Sequence, residues 1–378
     1  MNLNEYFARF RSASIAGSAN QYHFKADGVT PRTGRVFFRI DRAGEHQYSL
    51  LFSNSVDSTF SDGAFSRRGM LCDSWQILSC RIGLCRSIPE GKVEEMTVGD
   101  AGEKCDIITE GWQKIRFDGK EQKDVAPGEF FTTDPVKLSF QKGEYLCLEM
   151  TYLGTDLPCH QQTLMPIYNK TDAGFVYDVQ MPVPSMIGCD APVAKRVVFW
   201  GDSITQGIGT PNNAYAHWTA RLTEKLPEEN SYWNLGLGWG RADDAAAEGS
   251  WFFKAKQADC VALCFGVNDI LQGYTATELK DNLLHTVQAL KALGIKVFVQ
   301  TPPPFNYVFS HHAVWLETVR FITEELKNVA DGVFDTTPVL GKGPDFPQKA
   351  RYSDHPNAEG CSLWAEALEA PFRAFLEQ

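Results

Sequence analysis

A serine, an asparagine and a histidine in the second half of the chain have side chains that can act together in acyl transfer. Ser203 lies in the segment 201–205 (GDSIT), Asn268 lies in the segment 266–269 (GVND), and His355 directly precedes a proline and an asparagine. A serine hydroxyl is a poor nucleophile until a base removes its proton, and a histidine titrates near neutrality and can be that base. An asparagine amide can donate to the oxyanion of a tetrahedral intermediate. These residue types therefore predict acyl-transfer chemistry.

A glycine-rich turn adds backbone donors to this set. Residues 234–240 read NLGLGWG and follow a predicted strand. The N–H groups of such a turn can point at an oxyanion, and the loss of one preorganised donor typically costs on the order of 10²–10³ in rate. The turn is therefore the fourth part of the predicted site.

Short apolar runs alternate with helical stripes from about residue 195 onwards. The predicted strands are 196–200, 231–235, 259–265, 295–300 and 333–335. Leu279, Leu283, Val287 and Leu290 form the stripe of a helix that should end at Gly294. This alternation predicts an α/β fold with a parallel sheet and helices on both faces, and ligands of such sheets gather beyond the carboxyl ends of the strands. We therefore expect the serine, the turn, the asparagine and the histidine to meet at one edge.

The first half of the chain has the pattern of a β-structure. Residues 35–40, 76–82 and 136–140 alternate between apolar and polar side chains, and turn signals separate such runs. No long helical stripe interrupts them, so we expect an all-β sandwich or jelly roll. The predicted domains are 1–190 and 195–378, with a proline-rich linker near 181–195.

The catalytic blocks resemble those of the SGNH/GDSL hydrolases, a family called after its Ser, Gly, Asn and His. The segments 201–205, 266–269 and 355–357 (HPN) match the first, third and last blocks in the right order. The resemblance implies a flavodoxin-like α/β/α domain over 195–378 and hydrolysis of esters or acetyl groups. It implies that Ser203 is the nucleophile, that His355 is the base, and that Asn268, a glycine of the turn and the N–H of Ser203 are the oxyanion donors. The first half is similar to the jelly-roll domain that precedes the SGNH domain in carbohydrate esterase family two.

The acidic residue of the family pattern is displaced. The family usually has an aspartate three residues before the histidine, where this chain has Tyr352, whereas Asp354 is adjacent to the histidine. Adjacent side chains in extended backbone point to opposite faces, so Asp354 needs a tight bend to orient the imidazole. We place Asp354 slightly ahead of a Ser-His dyad, with Asp335 as a third candidate.

The glycine block also departs from the pattern. The glycine expected five residues after Asn234 is Trp239, with Gly238 and Gly240 on either side, and the sequence leaves open which of them donates to the oxyanion. An aromatic face suits the apolar face of a sugar ring. Trp239 is therefore a candidate substrate contact, together with three other aromatic side chains on predicted site-side loops: Tyr274, Phe305 and Tyr307.

Composition narrows the classes of function. The chain has 378 residues with a formal net charge of −11, and no cluster of lysine and arginine stands out, which argues against nucleic acid as a partner. No apolar stretch is long enough to span a membrane, and residues 1–10 lack the pattern of a signal peptide. The ten cysteines form no Cys-x-x-Cys pair, so reduced thiols and a cytoplasmic location are expected.

These observations predict a serine esterase that removes O-acetyl groups from saccharides. No cofactor and no metal are expected, the partner is a small-molecule or oligosaccharide ester, and the sequence leaves homo-oligomerisation open. One alternative is a lipase or acylhydrolase for lipid or small esters. The other is a catalytically silent carbohydrate-binding protein.

Overall fold

The computed structural model divides the chain into two compact units. It describes residues 1–60, 66–88, 104–105, 107–160, 165–178, 180–341, 350–351 and 355–378. The first unit comprises Met1–Val193 together with Asn212–Ala214, and the second comprises Ala194–Pro211 together with Tyr215–Gln378.

The first unit is built from antiparallel strands, as its alternating sequence predicts. One sheet has the order β1-β16-β4-β10, with β11 also on β4, and a larger sheet has the order β15-β14-β3-β12-β7-β8, with β9 on β7. The strands are β1 Arg11–Ser12, β2 Tyr22–Lys25, β3 Arg32–Arg39, β4 Gly44–Ser53, β5 Ser55–Phe60, β6 Ser66–Leu71, β7 Trp75–Cys85, β8 Glu110–Lys114, β9 Lys123–Val125, β10 Phe130–Thr132, β11 Val136–Phe140, β12 Tyr145–Gly154, β13 Asp156–Cys159, β14 Ile167–Thr171, β15 Gly174–Tyr177 and β16 Met186–Cys189. A strand-rich first half is therefore confirmed, whereas a jelly roll stays a prediction.

Two segments of this unit differ from the sequence-based expectation. A helix, α1, spans Leu3–Arg9, and a capping box between Asn2 and Glu5 begins it. Two turns are too short to show a helical stripe, so the pattern was not visible. The segment expected as a linker contains β16, which pairs with β4, because its prolines flank the strand rather than interrupt it.

The second unit carries a parallel sheet with the order β18-β17-β19-β20-β21. Its strands are β17 Arg196–Gly201, β18 Ser231–Asn234, β19 Cys260–Cys264, β20 Lys296–Gln300 and β21 Gly332–Phe334, and a short hairpin pairs β22 Ala350–Arg351 with β23 His355–Pro356. Numbered within the sheet, this order is 2-1-3-4-5, which is the flavodoxin-like order that the resemblance implied. The predicted α/β fold of this half is confirmed.

Helices cover both faces of this sheet. They are α2 Ser203–Gln206, α3 Trp218–Thr223, α4 Ala242–Ala246, α5 Ser250–Ala255, α6 Val267–Leu271, α7 Ala276–Ala292, α8 Phe309–Arg320, α9 Thr337–Leu340 and α10 Ala358–Glu377. The helix α3 connects β17 to β18, towards one edge of the sheet, whereas α7 connects β19 to β20, towards the other edge. Because both crossovers are right-handed, α3 and α7 lie on opposite faces of the sheet. In agreement, α3 packs against α10, whereas α7 packs against α4 and α8. Among the described residues, no helix combines the length and the apolarity that crossing a membrane requires.

A pair of stacked tryptophans joins α3 to α10. The rings of Trp218 and Trp364 lie 4.7 Å apart at 18°, both side chains are fully buried, and the indole N–H of Trp364 donates to Gln300 in β20 at 2.9 Å. The contact ties the helix that follows His355 to the sheet.

We predict that Trp364→Ala lowers the free energy of unfolding by about 3–5 kcal/mol, because it opens a large cavity and leaves Gln300 without its donor. Urea denaturation of the full chain measures this loss. The matched control is Leu363→Ala on the same helix, whose side chain is 39% exposed, so it should change stability little. A loss below about 1 kcal/mol for Trp364→Ala would contradict the role of the stack.

Candidate active site

Ser203 and His355 meet at the carboxyl edge of the parallel sheet. Ser203 begins α2 directly after β17, and His355 lies in β23 directly before α10. Ser203 Oγ lies 2.8 Å from His355 Nε2, and the two residues are 9% and 6% exposed. The imidazole is therefore in hydrogen-bond reach of the hydroxyl proton, as general-base catalysis requires.

The backbone N–H of Ser203 is placed to act beside its hydroxyl. Asp202 is the N-cap of α2, and its Oδ1 accepts a hydrogen bond from Ile204 N–H at 2.9 Å. The first N–H groups of a helix have no partner within the helix, and Ser203 is the first residue of α2. Its N–H is therefore a candidate oxyanion donor, as predicted from the sequence.

The glycine-rich turn packs against the start of α2. Leu237 N–H donates to Gly201 O at 3.1 Å, and a Cβ on Gly236 would lie 2.1 Å from Gln206 N, so only glycine allows this approach. Gly240 N–H donates to Leu237 O at 3.0 Å and is used inside the turn. Of the three residues that the sequence left open, Gly238 and Trp239 therefore stay as candidate donors, and the proposal below uses Gly238.

Trp239 adopts a backbone conformation that normally requires glycine. Its φ is +65°, at the third position of the turn from Leu237 to Gly240. The left-handed backbone conformation costs a residue other than glycine roughly 1–2 kcal/mol of conformational energy. The side chain is half-buried. This position therefore has the backbone conformation of a glycine, although its residue is a tryptophan.

Asn268 and Asp269 lie in α6 and hold this turn by hydrogen bonds. Asn268 Nδ2 donates to Gly240 O at 2.9 Å, which leaves its second N–H for an oxyanion. The Asp269 carboxylate accepts from Ala242 N–H at 3.0 Å and Asp243 N–H at 3.3 Å. Burial raises the pKa of Asp269 to about 7. Asp269 thus braces the segment that follows the turn.

The predicted aromatic contacts occupy three different positions. The ring of Phe305 lies 5.3 Å from the imidazole of His355 at 77°, so Phe305 packs directly on the base. The hydroxyl of Tyr307 is buried and finds no hydrogen-bond partner among the residues that the structure describes, and burial raises its pKa well above 10. Tyr274 donates to Asp243 at 3.3 Å, close to the end of the turn.

Two aspartates were predicted as candidates for the acid that would orient His355 in a triad. Asp354, the first candidate, lies outside the described residues. Asp335 accepts hydrogen bonds from Thr337 N–H at 3.0 Å, from Thr337 Oγ1 at 2.8 Å and from Thr301 Oγ1 at 3.3 Å. These hydrogen bonds connect the start of α9 to the end of β20, so the carboxylate of Asp335 is used in holding these two elements together.

A buried ion pair beside the site was missed at the sequence level. Arg241 and Asp244 directly follow the glycine-rich turn, their side chains are 4% and 0% exposed, and Arg241 Nε lies 2.8 Å from Asp244 Oδ2. Buried charges need such partners because desolvation is costly. The available signal was an Arg-x-x-Asp spacing directly after the turn, which is common on exposed helices and therefore uninformative by itself.

Two groups of side chains in the first unit have the composition of metal ligands. His23, Cys72 and Asp156 form one group, and His46, Cys189 and Asp190 form the other, with ligand atoms within 4.8 Å of one another in each. In the first group, Nδ1 of His23 lies 2.9 Å from Asp156 Oδ1, which is the geometry of a hydrogen bond. Neither group includes a residue of the Ser203 site.

Comparison with known proteins finds one family model that matches most of the second unit. Residues 199–363 match the model of the GDSL-like lipase/acylhydrolase family. This range contains Ser203, Asn268 and His355. Among curated proteins, none matches the chain.

Solved structures resemble about half of the chain. A carbohydrate acetylesterase family member from Sinorhizobium meliloti is 18% identical, with a TM-score of 0.39, and the match covers 48% of this chain and 99% of that one. A member of the lipolytic protein G-D-S-L family from Veillonella parvula is 23% identical, with a TM-score of 0.38, and the match covers 47% and 98%. A variant of Axe2, an acetyl-xylooligosaccharide esterase from Geobacillus, is 18% identical, with a TM-score of 0.38, and the match covers 47% and 93%.

The identity of the acid can be decided by two matched substitutions. We predict that Asp354→Ala lowers kcat by orders of magnitude, because a carboxylate that orients an imidazole fixes its productive tautomer. Asp335→Ala should change kcat little, since the hydrogen bonds of Asp335 go to threonines. Steady-state kinetics on an aryl acetate measures both. A small loss at Asp354 would favour the Ser-His dyad, and a large loss at Asp335 would contradict both alternatives.

The buried carboxyl beside the nucleophile predicts a pH-dependent stability. Burial raises the pKa of Asp202 to about 7, and the nearby Asp269 charge raises it further. A carboxyl with a raised pKa in the folded state stabilises the protein while it is protonated, and this stability is lost as the pH rises through about 7. Asp202→Asn keeps an acceptor for Ile204 N–H without the charge. The melting temperature of the variant should therefore rise relative to that of the wild type between pH 5 and pH 8, and a difference independent of pH would contradict this.

Proposed function

We propose that this enzyme, whose residues 199–363 match the model of the GDSL-like lipase/acylhydrolase family, is a serine esterase that removes acetyl groups from short saccharides. The observation that carries the esterase chemistry is the contact of 2.8 Å between Ser203 Oγ and His355 Nε2, at the edge where Asn268 also lies. A nucleophile, its base and an amide donor from three separate segments support acyl transfer more strongly than any one of them does.

The proposed reaction proceeds through an acyl-enzyme. His355 Nε2 takes the proton of Ser203 as Oγ attacks the ester carbonyl, and the carbonyl electron pair moves to oxygen. The N–H groups of Ser203 and Gly238 and the amide of Asn268 stabilise that oxyanion. When the intermediate collapses, the ester C–O bond breaks and His355 gives its proton to the leaving alcohol. A water molecule, deprotonated by His355, then attacks the acyl carbon and releases acetate and free Ser203.

Aromatic side chains near the catalytic residues support a saccharide as the alcohol part. Trp239 is half-buried and belongs to the turn that packs against α2. Tyr274 contacts the segment just after that turn. Sugar rings present apolar C–H faces that pack on aromatic rings, and their hydroxyls find donors and acceptors at the rim. Phe305 has a different part in the proposal, since it packs on His355 and limits the orientations of the imidazole.

A second candidate substrate is an ester with a longer acyl chain. Val308 and Phe309, just after the loop that carries Phe305 and Tyr307, are 62% and 94% exposed. Exposed apolar side chains beside a site can receive an alkyl chain. This observation favours lipid or small-ester hydrolysis as the alternative. A catalytically silent binding protein is disfavoured, because such a protein has no need to keep the serine hydroxyl on the imidazole.

The burial of the cysteines is consistent with the proposed cytoplasmic location. Nine of the ten cysteines are buried. Reducing compartments keep such thiols reduced. In such a compartment the saccharides at hand are transported oligosaccharides rather than intact polymers.

We predict a higher kcat/KM on short acetylated oligosaccharides than on acetylated polymer or on esters of eight or more carbons. Released acid, measured for the three substrate types under the same conditions, tests this order. Ser203→Ala is the control and should remove nearly all turnover while the protein stays folded, since only a small hydroxyl is lost. A clear preference for long acyl chains would reject the saccharide, and full turnover by Ser203→Ala would reject the nucleophile.

A further inference from the structure

The backbone at Trp239 is strained, although a glycine at the same position would not be. Trp239 has φ +65°, and it stands between Gly238 and Gly240 in a turn closed by Gly240 N–H on Leu237 O at 3.0 Å. Turns with a positive φ at the third position favour glycine there, because a Cβ clashes with the neighbouring carbonyl. A glycine at position 239 would remove the strain and keep the turn.

The surroundings of the turn hold it in this conformation. Asn268 Nδ2 donates to Gly240 O at 2.9 Å, and the Asp269 carboxylate accepts from Ala242 N–H at 3.0 Å just beyond the turn. On the other side, Trp251 Nε1 donates to Leu235 O at 2.9 Å. Strained residues persist where surrounding contacts over-determine the backbone, and they cluster at functional sites. The backbone of Trp239 is thus kept at a fixed place despite the cost of its conformation.

That place is next to the nucleophile. Leu237 N–H donates to Gly201 O at 3.1 Å, two residues before Ser203. The turn also carries the N–H of Gly238, a candidate oxyanion donor. Trp239 thus stands on a turn next to Ser203, and its side chain is half-buried, so part of it is exposed to solvent.

We propose that Trp239 is a specificity-determining residue, whose indole binds the saccharide part of the substrate next to the scissile ester and is retained at the cost of backbone strain. The inference rests on the proposed esterase activity at Ser203. Trp239 contributes through its side chain, whereas the oxyanion is stabilised by backbone N–H groups and Asn268. Removal of the indole should therefore lower kcat/KM most for substrates that have a sugar ring to stack on it.

The test compares Trp239→Gly and Trp239→Phe on two acetyl esters. The probes are an acetylated xylo-oligosaccharide and ethyl acetate, which share the acyl group, and only the first has a ring in its alcohol part. Trp239→Gly should lower kcat/KM on the oligosaccharide by about tenfold, the size of one lost aromatic contact, and the loss on ethyl acetate should be several times smaller. Trp239→Phe keeps an aromatic face and should recover most of the oligosaccharide activity.

Glu248 provides a matched control for the relief of strain. Its φ is +54°, it is exposed, and it follows α4 in the same unit. Glu248→Gly relieves a similar strain and should leave both activities unchanged. For Trp239→Gly we expect a melting temperature at or above that of the wild type, by up to about 2–4 °C, since relief of strain offsets the lost packing of the indole.

Two results would overturn the inference. One is an equal loss of activity on both esters together with a lower melting temperature, which would mean that the indole supports the turn. The other is no loss on either ester, which would mean that it only packs. Ser203→Ala separates these failures from failure of the esterase proposal. If Ser203→Ala is inactive and Trp239→Gly is unselective, only the role of Trp239 is rejected, and if Ser203→Ala keeps full activity, the proposed function itself is rejected.

Discussion

The register of the parallel sheet is the constraint on which the site depends. Gly201 in β17 pairs with Cys264 in β19, and Phe199 pairs with Asn234 in β18. The three strands therefore end at nearly the same level, and the residues that follow them begin their loops together. Because parallel strands all point the same way, the N-terminus of α2, the glycine-rich turn and α6 share one edge. A shift of one residue in either pairing would move every side chain of the shifted strand to the other face of the sheet and displace the loop that follows it.

Polar groups at this edge are buried, so the site is stable only if their hydrogen bonds are satisfied. Asp202 and Asp269 accept backbone N–H groups from the segments that follow β17 and the glycine-rich turn. Burial raises the pKa of both carboxyls to about 7. A backbone N–H group buried here without an acceptor would destabilise the fold, because it would leave water without gaining a hydrogen bond. The two aspartates therefore support these segments through hydrogen bonds to the backbone.

The glycine-rich turn shows how the same backbone geometry can be kept with different side chains. The hydrogen bonds from Gly240 to Leu237 and from Asn268 to Gly240 specify the path of the chain. The left-handed conformation at Trp239 follows from that path, whether or not the residue is glycine. A sequence pattern that requires glycine at this position would reject a turn that the tertiary contacts enforce.

The sequence by itself determined the chemistry and the fold class of the second unit. Ser203, Asn268 and His355 were recognisable because each follows or precedes a strongly patterned element, and the apolar strands and the stripe of α7 specified an α/β sheet. Turn hydrogen bonds, however, depend on which atoms the chain brings together across long separations. Only the tertiary structure therefore showed that Gly240 N–H is used inside the turn, gave Trp239 its strained backbone, and paired the buried side chains of Arg241 and Asp244. The helix α1 and the strand β16 were also invisible in the sequence, because elements of seven and four residues carry too little periodicity to stand out. Hydrophobic periodicity is a local property that the sequence states directly, whereas burial, strain and hydrogen-bond partners arise only when distant segments pack.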